Sequence, residues 1–135
     1  MFAHLFLALA ATGSLSTPKE LAEELHRIAG SDARACGSVT LKDDPKVSMS
    51  CAEDALKAGR PFWVAVQSQG VDSLLWSGAA RAIDGATWLV RYDSDTSGGG
   101  STTGPKPSTE SFLCKDLVIS AAKRAVISCP SQPWR

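Results

Sequence analysis

Four cysteines, Cys36, Cys51, Cys114 and Cys129, constrain this chain more than any other feature. They form an even set without a CxxC pair, and fifteen residues separate the members of each sequential pair. Four cysteines allow three connectivities. The two equal spacings favour Cys36–Cys51 and Cys114–Cys129; four reduced, buried thiols in a cytosolic protein are the alternative.

The amino terminus bears on that choice. Met1 to Ala11 is apolar and carries no charged side chain, and Thr12-Gly13-Ser14-Leu15-Ser16 follows. This is the layout of a secretory leader, predicted over residues 1–16, with one domain over residues 17–135. The run is too short for a bilayer core of about 30 Å, which needs roughly 20 apolar residues, so no membrane span is expected. The leader lacks a basic first region, which a start codon placed slightly late would explain; a buried N-terminal helix is the competing reading. No cysteine follows the run closely enough to take a lipid. Leader and disulfides together place the protein outside the reducing cytoplasm, secreted or periplasmic.

Lys and Arg together number 14, as do Asp and Glu, for a formal net charge of +0. Nucleic-acid binders draw affinity from a basic surplus, so nucleic acid is not an expected partner. A hydrophobic fraction of 44% suffices for a packed core.

Thr17-Pro18-Lys19-Glu20 reads as a capping box with proline at the first helical position. Leu21, Leu25 and Ile28 then share one helical face until Gly30 stops the helix. The stretch through Met49 reads as irregular, with a turn at Asp43-Asp44-Pro45. A second capping box, Ser50-Cys51-Ala52-Glu53, opens a short helix ended by Gly59. From Pro61 the period becomes alternating. Phe62, Val64 and Val66 oppose Trp63, Ala65 and Gln67; Leu74 to Ala80 and Ala86 to Tyr92 follow, joined at Asp84-Gly85, a type I′ hairpin signal. Residues 94–110 are rich in Ser, Thr, Gly and Pro and read as a long mobile loop. Strands near Phe112 to Ile119 and Ala125 to Cys129 complete the chain, and a turn at Ala121-Ala122 would set Cys114 opposite Cys129. The expected fold is α+β: two N-terminal helices on one face of a four- to five-stranded antiparallel sheet, the other face partly open, with two disulfides.

Candidate sites are few. Asp93, Asp95 and Ser97, followed by Gly98, mimic the first half of a calcium loop, but Gly104 stands where a bidentate Glu belongs. The run Gly99 to Lys106 fails as a phosphate loop because Pro105 precedes the lysine. His26 is the sole histidine after the leader and has no nucleophile motif to serve. No catalytic, metal or cofactor site is assigned. Trp63, set opposite Phe62, Val64 and Val66, falls on the open sheet face, where an aromatic residue suits a partner. Trp63, Asp93 and Asp95 are the candidate binding residues.

The elements Cys51-Ala52, Ala55-Leu56, Gly59, Pro61-Phe62, Gln69-Gly70-Val71-Asp72-Ser73, Tyr92-Asp93-Ser94-Asp95 and Gly98-Gly99-Gly100 resemble a group of uncharacterised small exported bacterial proteins over residues 36–129. The resemblance implies export and two disulfides, and transfers no activity. The helix–helix–sheet order also looks like one repeat of the exported beta-lactamase inhibitor proteins, in element order alone. The expected function is a binding module that presents the sheet face and glycine-rich loop to a protein or cell-envelope component. A small hydrolase using Asp72, Asp84, Asp93 or Asp95 at strand ends, and a calcium-stabilised structural domain, are the alternatives.

Overall fold

The computed structural model describes residues 17–71, 73–97, 100, 102–121 and 125–132. The leader, Asp72, Gly98, Gly99, Ala122 and Trp134 therefore lie outside the described residues. The order of elements is α1 (Lys19–Ala29), β1 (Arg34–Val39), α2 (Lys46–Ala58), β2 (Phe62–Gln69), β3 (Leu74–Arg81), β4 (Thr87–Asp93), β5 (Ser108–Leu113), β6 (Val118–Ser120) and β7 (Val126–Ser128). Strands β1 to β5 form one sheet in sequence order, and β6 with β7 forms a separate two-stranded sheet.

The architecture is α+β, but three expectations are corrected. First, a strand lies in the segment read as irregular. β1 runs parallel to β2, so the sheet is mixed, and α2 supplies the crossover that a parallel pair requires. The helix–helix–sheet order fails for the same reason. Second, α2 begins at Lys46, a turn before the Ser50 capping box. Asp44 Oδ1 accepts from the Lys46 N–H at 3.0 Å, organising the start that was read as a plain turn. Third, the helices cover opposite sheet faces. Leu21, Leu25 and Ile28 of α1 pack on Trp63, Ala65, Trp76 and Val90. Met49, Ala52 and Ala55 of α2 pack on Phe62, Val64, Ala79 and Leu89, with Leu117 and Ile119 of the C-terminal segment beside them. Phe62 to Ala65 are consequently all buried, as expected for a strand enclosed on both faces.

Local details follow. Gly30 ends α1 at φ 92°, its N–H bonded to His26 O. No side-chain cap bond opens that helix; the Thr17 hydroxyl instead meets Ser38 Oγ of β1, tying the helix start to the sheet. The β3–β4 hairpin pairs Arg81 with Thr87. Its turn is wider than the two-residue type I′ form: Gly85 N–H reaches Ala82 O at 2.9 Å and Gly85 sits at φ 92°, the arrangement of a type I turn followed by a left-handed glycine.

Both disulfides join the expected partners, Cys36–Cys51 with Cα atoms 5.6 Å apart and Cys114–Cys129 at 5.9 Å. The second is not the cross-strand bridge foreseen. The β6–β7 register pairs Val118 with Ser128 and Ile119 with Ile127, so Cys114 lies beyond the ladder, between β5 and the hairpin. The bridge fastens the hairpin to the end of β5 rather than lacing two strands of one sheet. β5 itself starts at Ser108, inside the segment assigned to the loop. Thr96 N–H to Lys106 O, at 2.8 Å, closes the neck of that loop just before the strand.

Candidate functional site

Trp63 is not on an open face. It is 9% exposed and sits in the core beneath α1, where the His26 ring meets it edge-on with centroids 5.1 Å apart. Trp76 is buried in the same layer, and Trp88 packs partly buried against it. Trp63, Trp76 and Trp88 serve packing rather than presenting an open aromatic surface.

The acidic candidates separate. Asp84 lies in the β3–β4 turn, its Oδ1 accepting the Ala86 N–H at 3.0 Å. Asp93 ends β4 at the opposite end of the sheet, paired with Leu75 and Ser108. Its Oδ1 accepts the Asp95 N–H at 2.9 Å. Asp95 Oδ1 in turn accepts the N–H groups of Ser97 at 3.0 Å and Lys106 at 3.1 Å. These carboxylates shape turns through their own backbone. Asp84 does not converge with Asp93 or Asp95, which removes one pairing that the hydrolase reading needs.

An open area does exist, on the face that α2 and the hairpin only half cover. Because strand side chains alternate between faces, the ladder places Ser68, Ser77, Leu75, Arg91, Asp93 and Glu110 on the same side as Phe62, Val64 and Leu89. The apolar half of that face is buried, and the polar half borders two depressions. The larger, about 640 Å³, lies where β1 and β2 end. Its walls are the β1–α2 connection (Thr40, Leu41, Asp43), the end of β2 from Val66 to Gln69, and β7. The smaller, about 220 Å³, lies beside Arg91, Asp93 and Glu110. Ser77, which lines the first, stands opposite Arg91, which lines the second.

The groove wall is fixed by side chains. Gln67 Oε1 accepts the Leu41 N–H at 3.0 Å. The Asp43 carboxylate accepts from the Thr40 N–H at 2.8 Å and the Thr40 hydroxyl at 2.9 Å. Those bonds, the backbone one foremost, hold the Asp43 carboxyl below its ordinary range. Exposed apolar residues gather at this end of the sheet: Leu41 at 54% exposure, Val47 at 82%, Val71 at 97% and Leu74 at 48%. Val126 of β7 adds a fifth. Of these, Leu41 and Val126 line the larger depression, and solvated apolar side chains at a concavity mark contact surfaces.

The groove offers amides, hydroxyls and apolar floor. Among the described residues no histidine, lysine or cysteine lines it, and His26 belongs to α1, on the other side of the sheet. Elsewhere, Asp116 Oδ1 lies 3.4 Å from the sulfurs of both Cys114 and Cys129 and accepts from Ser131 Oγ at 2.8 Å. With the sulfurs bonded to each other, neither supplies the thiolate that a metal takes. Compared with models of known families, with curated proteins and with solved structures, the chain matches none of them.

Leu41, Gln67, Gln69 and Val126 escaped the sequence reading. The available signal was thermodynamic: Leu41 and Val71 are large apolar residues set in connections, where burial is difficult.

Proposed function

We propose that the protein is an exported binding module, secreted or periplasmic, that takes a protein or cell-envelope component into the groove where β1 and β2 end. The observation that carries this reading is a concavity of about 640 Å³ walled by hydroxyl and amide groups and Asp43, and lined by solvated Leu41 and Val126. Sites of this size and mixed lining suit recognition. Disulfides at both ends of the domain support an oxidising compartment. The smaller depression by Arg91, Asp93 and Glu110 extends the same surface, which keeps Asp93 in the reading as a neighbour of the site.

A photoreactive amino acid placed at Leu41, in the cells that make the protein, tests this. Ile83 is the control, because it is 87% exposed in the β3–β4 turn at the far end of the sheet. Discrete cross-linked products from Leu41 and none from Ile83 are expected. Equal labelling at both positions, or none at either, refutes the proposal.

A further inference from the structure

We infer that the groove receives a short extended polypeptide segment, which adds as a strand to the edge of β2 that β1 leaves uncovered. The inference rests on the binding reading above and names its partner's chemistry. β1 pairs with β2 only as far as Val39 opposite Val66, whereas β2 stays paired with β3 to Gln69 opposite Leu74. Among the described residues, the last three of β2 therefore have a strand on one side and none on the other.

The direction of their peptide groups follows from two neighbouring bonds. Gly70 donates its N–H to Ser73 O at 3.1 Å, toward β3. Pro61 O accepts from the Arg34 N–H at 3.0 Å, toward β1. Peptide groups alternate sides along a strand, so the odd-numbered residues of β2 aim their N–H and C=O toward β1. At Gln69, β1 has already ended. Leu41, where the chain turns away, gives its N–H to the Gln67 side chain rather than to the ladder. Open strand edges are the template that added strands use.

The groove places a matching wall opposite. Ala125, Val126 and Ile127 all line it. An extended segment between β2 and β7 directs one set of side chains toward Val39, Val66 and Ile127, and the other toward solvent. Among the described residues Asp43 is the sole charged residue in the lining. Its carboxylate favours a segment that sets a basic residue beside it.

The test uses peptides selected from a displayed library of short sequences alternating apolar and neutral polar positions. Two variants separate backbone from side chain. Gln69→Ala keeps the N–H. Gln69→Pro removes it where it makes no ladder bond to β3, a position a strand end tolerates; its melting temperature is measured to establish folding. Selected peptides should bind Gln69→Ala within about threefold of the parent and lose about tenfold or more with Gln69→Pro, as for one backbone hydrogen bond left unmade. N-methylation of alternate peptide amides should reproduce that loss. Equal binding to Gln69→Pro, or selection of no peptide that shifts the Gln67 and Gln69 amide resonances, overturns strand addition. The Leu41 cross-linking result is independent of both outcomes, so failure here is distinguishable from failure of the groove as a binding site.

Discussion

Glu24 joins α1 to the far edge of the sheet. Its carboxylate takes Arg27 Nε at 2.8 Å and Nη2 at 2.7 Å, and Ser111 Oγ of β5 at 2.5 Å. The Arg27 bonds are the main reason its pKa falls from 4.5 to about 2, against the opposing pull of burial. A carboxylate depressed on folding adds stability above its unfolded pKa, and that stability disappears as pH falls through about 2. Arg27 is largely exposed, so solvent screening keeps the contribution small. Glu24→Gln should lower the melting temperature slightly at pH 7 and narrow its gap from the parent as pH approaches 2; a gap independent of pH refutes the assignment. Gly78 bears a different load. A Cβ there would lie 2.9 Å from Leu25 Cδ2 and 3.1 Å from Leu25 Cδ1, inside a fully buried contact. Gly78→Val should cost about 1–3 kcal/mol by overpacking, read by denaturant unfolding; an unchanged midpoint would show that α1 can move. At this scale the cysteines were legible, because identity and spacing alone carry the pairing. Trp63 was not: alternation sets it opposite Phe62, as found, but the face it lies on was read as open, and nothing local reveals that α1 folds over it.

Among the elements, α1, β2, β3 and β4 were readable from the helical period that ends at Gly30, the change of period at Pro61 and the turn residues between the strands. β1 was not. Its Arg-Ala-Cys-Gly-Ser-Val run has no alternation, and the register slips between Ala35 and Ser38, with Gly37 at φ 94° in the slip. A bulge erases the periodicity by which strands are found. The clue to its existence lay in β2, where Phe-Trp-Val-Ala-Val leaves no polar position and so demands cover on both faces. A fully covered strand calls for helices on both sides. The Cys36–Cys51 bond holds this weak strand to α2 inside the crossover. Closing a loop of that length is worth about 3 kcal/mol in the chain-entropy model. Replacing both cysteines by alanine should lower the unfolding free energy by about that amount and loosen β1 first. Hydrogen exchange would show it as lost protection at Val39 with β3 unaffected; uniform loss would mean that β1 has no separate stability.

For the molecule as a whole, the open region depends on parts distant in sequence: the turn after β1, the end of β2 and the hairpin that closes the chain. No local pattern encodes such a meeting, so the groove was illegible even where its residues were plain. The hairpin's hold on the body includes the Cys114–Cys129 bond and the packing of Leu117 and Ile119. Replacing Cys114 and Cys129 together should leave the five-stranded sheet protected from exchange while Ile119 and Ile127 lose protection, with weaker binding of any groove ligand. Retained protection in β6 and β7 would show that packing alone suffices. The position of that sulfur bridge has a temporal meaning. While Cys114 and Cys129 stay reduced, the hairpin that walls the groove is held by packing without its covalent fastening. On the binding reading proposed above, groove recognition therefore strengthens once that bond has formed.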